Sequence, residues 1–403
     1  MRVFARISRP VAFCIALSGL YLTGCAQTSE EGAKTKLPPV HELARHEDDN
    51  VHHEGEFLVL DPPPDYEASL PELGLSIIDV THLDGMGSKL YHMKIDSGAH
   101  PFHARHLHEQ RHPEVISDVH HHFEQHASRR KNRSDYVSRR AAKWGKAKTN
   151  CGRGIRMGMI DGGVDTKHSA FKASKLTFRS FHRKGQKMSS ISHGTAVASM
   201  LVGSRKYGSL LPGAHLSAAN VFHRTKKGRS RASSKSILRA INWLIKQKVQ
   251  VINFSIGGPA NRLVRKAVEH ADKLGIIMIA SAGNNGPFTR KKSFPAAYPP
   301  VIAIAASDEY DTVAKFSSAG DYVEFTAPGV KIWTAIPGGS KAMSGTSFSS
   351  PLVAGFTAAA IKYKKITKRE AMRAYFKKTT KEKGKKEWDQ YSGWGFVSVA
   401  PPC

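Results

Sequence analysis

Short apolar runs recur between residues 155 and 327 and alternate with stretches of helical periodicity. The runs cover residues 155–160, 216–221, 249–256, 276–282, 301–306 and 323–327. One helical stretch, behind the capping candidates Ser233 and Ser234, has a regular apolar stripe, formed by Ile237, Ala240, Ile241, Leu244 and Ile245. Strands that alternate with helices form mostly parallel sheets covered on both faces. We therefore predict an α/β fold with a mostly parallel central sheet and helices on both faces.

A carboxylate follows the first of these predicted strands directly. Asp161 comes after residues 155–160 and is followed by Gly162 and Gly163. Open α/β sheets carry their functional groups at the carboxyl ends of their strands. Asp161 is therefore a candidate functional residue, although an aspartate before glycines could also simply close a turn.

Two further polar residues stand where predicted helices begin. His193 precedes the apolar run 196–202, and Ser347 precedes the apolar run 352–361. The first turn of a helix has unpaired N–H groups and the positive end of the helix dipole, which favours negative charge on a bound group. Either residue alone could merely cap its helix. An aspartate, a histidine and a serine in this order instead suggest nucleophilic catalysis.

The segments around these three residues resemble the subtilases, the subtilisin-like serine peptidases. The resemblance covers roughly residues 151 to 399 and rests on Asp161, on His193 in H-G-T, and on Ser347 in G-T-S-x-x-x-P. It implies a serine endopeptidase that hydrolyses peptide bonds through an acyl-enzyme. Ser347 would be the nucleophile and His193 the base, while Asp161 would hold the imidazole in the required tautomer.

The resemblance also implies an oxyanion hole and a substrate-binding strand. In subtilases an A-G-N-x-G loop supplies a side-chain amide to the oxyanion, and here that residue is Asn284. The alternative is an ordinary Asn-Gly turn after a strand. Substrate would add as a strand along the S-x-G-G edge, which comprises Ser255, Ile256, Gly257 and Gly258.

Three positions depart from the usual subtilase pattern. Gly162 replaces a serine or threonine, Ala196 replaces a histidine, and Phe348 replaces a methionine. None of these changes removes a reacting group. The loop 202–208 lacks the Asn-rich calcium loop of many subtilases. We expect no tight calcium site at this loop, no metal ligands and no cofactor.

Residues 1–24 have the layout of a secretory signal. Three arginines precede an apolar stretch that is too short to span a bilayer stably. The stretch ends in L-T-G-C, which resembles the bacterial lipobox and implies lipidation of Cys25. Residues 25–50 would then form a polar tether to a membrane of the bacterial cell envelope. The alternative is an ordinary secretory signal with a chance cysteine.

Two more cysteines flank the predicted catalytic domain, residues 151–403. In an oxidising compartment Cys151 and Cys403 are candidates for a disulfide, because the termini of a domain often lie close together. The alternative is two unpaired thiols.

Charge is distributed unevenly along the chain, whose formal net charge is +28. Residues 26–126 hold 19 acidic and seven basic residues, a net charge of −12, whereas residues 127–403 have a net charge of +37. Residues 127–150 would form a basic linker. The positive charge suits an anionic membrane surface. We expect no specific nucleic-acid partner, because the basic residues are dispersed and no nucleic-acid-binding motif is present.

The acidic segment, residues 51–126, reads as a small α+β unit. Strands are predicted at 75–80, 89–95 and 114–119, with a helix at 101–111. By position and pattern it resembles the propeptides of subtilases, which implies an intramolecular inhibitor. Of the chain's 21 histidines, 15 precede residue 127, so a metal-binding envelope lipoprotein is an alternative. A basic anion- or nucleic-acid-binding protein on an inactive peptidase scaffold is another.

Overall fold

The computed structural model describes residues 52–125, 141, 143–144, 148–289, 291–381 and 387–399. The predicted signal, the tether with Cys25, most of the basic linker and Cys403 lie outside these residues. Within the described part of the chain, no helix combines the length and the apolar character needed to cross a bilayer.

Residues 52–125, here called the N-terminal segment, form a four-stranded antiparallel sheet with two helices. The elements are β1 (His52–Leu60), α1 (Tyr66–Ser69), β2 (Leu75–Leu83), β3 (Ser88–Ile95), α2 (Pro101–Arg111) and β4 (Ile116–Gln125). The strand order is β2-β3-β1-β4, which with the helix positions gives a split β-α-β arrangement.

Residues 148–289, 291–381 and 387–399 hold the predicted catalytic domain and are here called the catalytic portion. They are built on a nine-stranded sheet of order β17-β18-β14-β13-β12-β10-β5-β7-β6. Its strands are β5 (Arg156–Asp161), β6 (Lys175–Ser180), β7 (His215–Asn220), β10 (Val251–Phe254), β12 (Ile277–Ser281), β13 (Val301–Ser307), β14 (Val323–Pro328), β17 (Thr380–Lys381) and β18 (Phe396–Val397). Every neighbouring pair is parallel except β17 and β18.

Among the described residues of the catalytic portion, five further strands lie outside this sheet, and five α-helices accompany them. The strands are β8 (Phe222–Arg224), β9 (Ser230–Ser233), β11 (Ile256–Gly257), β15 (Ile332–Ile336) and β16 (Gly339–Met343). The helices are α3 (Ser192–Val202), α4 (Ser234–Lys246), α5 (Arg262–Lys273), α6 (Thr346–Lys364) and α7 (Arg369–Thr379).

The central sheet is buried on both faces. Met157 and Met159 of β5 lie in a core that includes side chains of α3 and α6. Ile160 of the same strand lies in a second core with side chains of α4 and α5. Successive strand residues point to opposite faces, so a strand covered on both sides is apolar throughout. The predicted fold class, a mostly parallel sheet with helices on both faces, is confirmed.

The N-terminal segment shares apolar contacts with the catalytic portion. Phe57 and Val59 of β1 belong to the segment's own core. Leu58 and Leu60, which alternate with them, join the core formed by α4 and α5. One face of β1 is therefore covered by the segment and the other by the catalytic portion.

The predicted strand over 114–119 ends too early. In the structure β4 continues to Gln125, because it pairs with β1 and then with β9 and β11. The extension holds three histidines, a glutamate and a glutamine, so it lacks the apolar pattern of a strand. It pairs with main-chain groups of the catalytic portion, and sequence periodicity does not report such pairing.

Cys151 is buried and disulfide-bonded. Its predicted partner, Cys403, lies outside the described residues, so the pairing with Cys403 stays a prediction.

Candidate active site

Asp161 ends β5 at the carboxyl edge of the central sheet and is fully buried. Its Oδ1 atom accepts hydrogen bonds from the Gly162 N–H and from Gln125 Nε2 at 3.3 Å. The same oxygen lies 2.7 Å from Nδ1 of His193. A carboxylate in this position fixes the ring that faces it.

His193 is the second residue of α3, and its side chain is buried. Because Nδ1 faces the carboxylate of Asp161, the ring carries its proton on Nδ1 and leaves a lone pair on Nε2. Nε2 is buried and has no hydrogen-bond partner among the described residues. The ring is therefore oriented to accept a proton at Nε2.

The residues that follow His193 explain the H-G-T pattern. A Cβ atom on Gly194 would lie 2.5 Å from the carbonyl oxygen of Gly162, so only glycine allows α3 to approach this loop. The hydroxyl of Thr195 donates to the Ile191 carbonyl at 2.6 Å and accepts from the Asp165 N–H at 2.8 Å. These contacts fasten the start of α3 to the loop that begins at Asp161.

Ser347 is the second residue of α6 and is also buried. Its carbonyl oxygen accepts a hydrogen bond from the Ser255 hydroxyl at 3.4 Å. The ring of Phe348, the next residue, lies 5.4 Å from the His193 ring between centroids. The structure thus brings the starts of α3 and α6 together at the end of β5.

Asn284 lies beside the start of α6. Its Oδ1 accepts hydrogen bonds from the backbone N–H and the hydroxyl of Thr346, both at 3.0 Å. A backbone N–H can only donate, so the side-chain atom facing it must be the amide oxygen. The amide nitrogen, Nδ2, is buried and has no partner among the described residues. A donor in this setting can bind a developing negative charge.

The predicted substrate-binding strand is paired with the end of the N-terminal segment. Ile256 pairs antiparallel with Gln125, and Gly257 pairs with Glu124. β4 also pairs with β9, a strand that was not predicted from the sequence. A Cβ atom on Gly258 would lie 2.4 Å from the ring of Phe123, so the glycine makes room for this aromatic side chain.

A profile of the subtilase family, peptidase family S8, matches residues 152–395, more than half of the chain. This chain belongs to the subtilase family. It is 34% identical over 214 residues to subtilisin E from Bacillus subtilis strain 168 and 33% identical over 218 residues to subtilisin DY from Bacillus licheniformis. The first match covers 51% of this subtilase and 55% of subtilisin E, and the second covers 51% and 76%.

Solved structures match the fold over a longer stretch. Fervidolysin from Fervidobacterium pennivorans, a keratinolytic enzyme related to subtilisin, superposes with a TM-score of 0.72. That match covers 87% of this subtilase and 61% of fervidolysin at 21% identity, so it supports the fold alone. The prenylagaramide maturation protease PagA matches with a TM-score of 0.53 at 26% identity, over 65% of this subtilase and 95% of PagA.

Gly162, one of the three departures from the usual pattern, has a consequence in this subtilase. A Cβ atom at residue 162 would lie 2.3 Å from Nε2 of Gln125. The absence of a side chain at residue 162 therefore lets the amide of Gln125 approach Asp161. Sequence reasoning identified the glycine but could not identify the contact, because Gln125 lies outside the matched family region.

Proposed function

We propose that this chain hydrolyses peptide bonds with Asp161, His193 and Ser347 as its catalytic triad. The observation that carries the proposal is the buried 2.7 Å contact between His193 Nδ1 and Asp161 Oδ1, which leaves Nε2 as the proton acceptor. Family membership makes a serine endopeptidase the expected activity. Protein or peptide substrates are part of the same proposal.

In this mechanism the Ser347 hydroxyl oxygen attacks the scissile carbonyl carbon while His193 Nε2 takes the hydroxyl proton. Asn284 Nδ2 donates to the oxyanion of the tetrahedral intermediate. Collapse of the intermediate breaks the C–N bond, and His193 returns the proton to the leaving amine. Water then attacks the acyl-enzyme with His193 again as the base, which releases the carboxylate product and restores Ser347. Asp161 stabilises the imidazolium in both steps.

The substrate would bind as an extended strand between β9 and β11, the position that β4 occupies. Main-chain hydrogen bonds to Gly257 would supply affinity for any sequence, and side-chain pockets would supply preference. Phe123 is fully buried against Gly258, together with apolar side chains of α4 and α5. We propose that this pocket favours a large apolar side chain in substrates.

We also propose that the N-terminal segment is an intramolecular inhibitor. Its last described residues pair with the proposed substrate-binding strand, and Gln125 reaches Asp161. Oppositely charged side chains line the contact, consistent with the charge difference between the two parts of the chain. The ion pairs are Asp79–Lys235, Asp84–Lys246, Glu109–Arg262 and Glu124–Arg231. Exposed pairs of this kind add little individually, so most of the affinity would come from strand pairing and apolar burial.

A fluorophosphonate probe tests the proposed nucleophile. Such a probe is expected to label the processed protein at Ser347, and peptide mass spectrometry locates the modified residue. Labelling should disappear after heat denaturation and in Ser347→Ala, and it should persist in the matched control Ser340→Ala. Equal labelling of Ser347→Ala and the wild type would show that the nucleophile has been assigned wrongly.

Phe123→Ala tests the proposed inhibitor. Loss of this buried ring removes apolar burial of about 2–3 kcal/mol, so inhibition of the processed enzyme by the separate segment should weaken roughly 30- to 150-fold. The inhibition constant with a chromogenic peptide is the measurement. Val80, which is 38% exposed, supplies the control Val80→Ala. An unchanged inhibition constant for a Phe123→Ala segment with a normal circular dichroism spectrum would contradict the proposed docking.

A further inference from the structure

Three potential metal ligands lie close together in the N-terminal segment. His53, Glu56 and His120 each offer one ligand atom, and these atoms all lie within 4.8 Å of one another. We call these three residues the His53 cluster. It is the one such group of histidine, cysteine and acidic side chains found within the described residues. It belongs to the segment and not to the proposed catalytic site.

An irregularity in β1 creates the cluster. His52 pairs with His121, but the next pair is Phe57 with Val119, so β1 contains three more residues than β4 over this stretch. Gly55 lies inside the bulge with a φ of +65°, a conformation that favours glycine. The extra residues bring His53 and Glu56 beside His120. Bulges of this kind often re-aim side chains at functional sites.

The two imidazoles are available as ligands. Nδ1 of His120 contacts Glu56 Oε2 at 2.7 Å, and an ion bound at this nitrogen would replace that contact. Nδ1 of His53 lies 3.9 Å from Glu56, beyond hydrogen-bond distance. Nδ1 of both rings therefore faces the Glu56 carboxylate, where a metal ion could lie between them.

Glu56 supplies the negative charge. His92 Nε2 lies 2.9 Å from Glu56 Oε2 and holds the carboxylate in place. Partners of this kind commonly orient metal ligands.

We propose that the His53 cluster binds a divalent transition-metal ion of the zinc type. Two imidazoles and one carboxylate are a known zinc ligand set, and nitrogen donors disfavour calcium and magnesium. Zinc bonds of about 2.0–2.2 Å at tetrahedral angles place ligand atoms roughly 3.4 Å apart. Nδ1 of His120 lies 2.7 Å from Glu56 Oε2, and Nδ1 of His53 lies 3.9 Å from it. Small side-chain shifts therefore suffice to place an ion among the three.

Side chains of the catalytic portion face the cluster. Arg183 Nη1 lies 3.6 Å from Glu56 Oε1, and Lys235 Nζ lies 3.2 Å from Nδ1 of His92. Asp79 pairs with Lys235 and so offsets its charge. Arg183 is largely exposed, at 64%, and can turn into solvent when an ion enters. The ion would join β1 to β4, and β4 is the strand that reaches the catalytic site.

Zinc binding by the full-length Ser347→Ala chain tests the site, because this chain cannot process itself. After chelator treatment, zinc is titrated against a competing chromogenic chelator. We expect one tightly bound zinc ion per chain. The zinc affinity should be at least about 100-fold lower in His120→Ala and in the nearly isosteric Glu56→Gln. Loss of a residue that merely supports a ligand typically lowers metal affinity 10- to 100-fold, and loss of a ligand should cost at least as much. Cobalt(II) should give the intense visible absorption of a tetrahedral site in the parent chain and lose it in Glu56→Gln.

His106→Ala is the matched control, because His106 is an exposed histidine of the same segment. It should bind zinc as the parent does. Equal zinc affinity in a folded Glu56→Gln chain would overturn the site, as would a similar loss in His106→Ala. Zinc should also stabilise the inhibited state of the enzyme, an effect that rests on the proposed inhibitory role of the segment. The wild-type chain should then process itself more slowly with zinc than with chelator. Equal rates would contradict the inhibitory role and not the zinc site, which the zinc stoichiometry of the Ser347→Ala chain tests.

Discussion

Ser347→Ala is expected to lower kcat by about a million-fold, because the replacement leaves no oxygen to form the acyl-enzyme. Loss of the equivalent serine in subtilisin has an effect of this size. His193→Ala should lose about as much, since an unassisted serine hydroxyl is a weak nucleophile. Asp161→Asn should lose roughly ten-thousand-fold, because an asparagine in this position favours the wrong tautomer of His193. Hydrolysis of a chromogenic peptide by the processed enzymes provides the measurement.

The combined variants distinguish a triad from three independent residues. Residues that act as one unit are not additive, so a Ser347→Ala, His193→Ala double variant should be about as active as either single variant. If the loss of kcat in the double variant equalled the product of the two single losses, the residues would act independently and the proposed triad would be contradicted. Circular dichroism and binding of a peptide inhibitor serve as controls, since both should stay close to the wild type.

Asn284→Ala is expected to lower kcat by about 100- to 1,000-fold with little change in KM. This range, too, is that of the equivalent change in subtilisin. The amide oxygen of Asn284 is held by Thr346, which leaves Nδ2 for the oxyanion. An interaction formed only in the transition state affects kcat without weakening binding of the substrate. Steady-state kinetics with one peptide at varied concentration separates the two constants.

Asn285→Ala is the matched control, because Asn285 is the exposed neighbour in the same loop. Its backbone N–H, and not its side chain, contacts Ser318. We expect near wild-type kinetics. A larger loss of kcat in Asn285→Ala than in Asn284→Ala would mean that the amide donor to the oxyanion has been assigned to the wrong residue.

The parts of the fold that sequence predicted best are those whose signal is local. The strand ending at Asp161 is apolar on both faces, and the stripe on α4 marks the face packed against the sheet. Ser233 caps that helix by accepting a hydrogen bond from the Ser236 N–H, as the sequence predicted. The strands before Asp161 and Asn284 and the helices at His193 and Ser347 could all be predicted in this way.

The parts that sequence missed depend on contacts between distant residues. The last residues of β4 form a strand only because β9 and β11 lie beside them. The His53 cluster depends on a bulge opposite a strand more than 60 residues away in sequence, and no fixed ligand spacing marks it. From sequence the histidine-rich segment suggested metal binding only in general, whereas the structure places the buried His120 beside Glu56.

The strand pairing of β4 also bears on what a cut after Gln125 would accomplish. Before the cut, the connecting chain holds the segment at a high effective concentration beside the catalytic portion. Under the proposed inhibitory role, cleavage would remove that link, whereas the strand pairing and the burial of Phe123 do not depend on it. The segment then becomes a separate molecule, and its occupancy depends on total protein concentration. Dilution, as much as hydrolysis, would therefore determine when the enzyme becomes active.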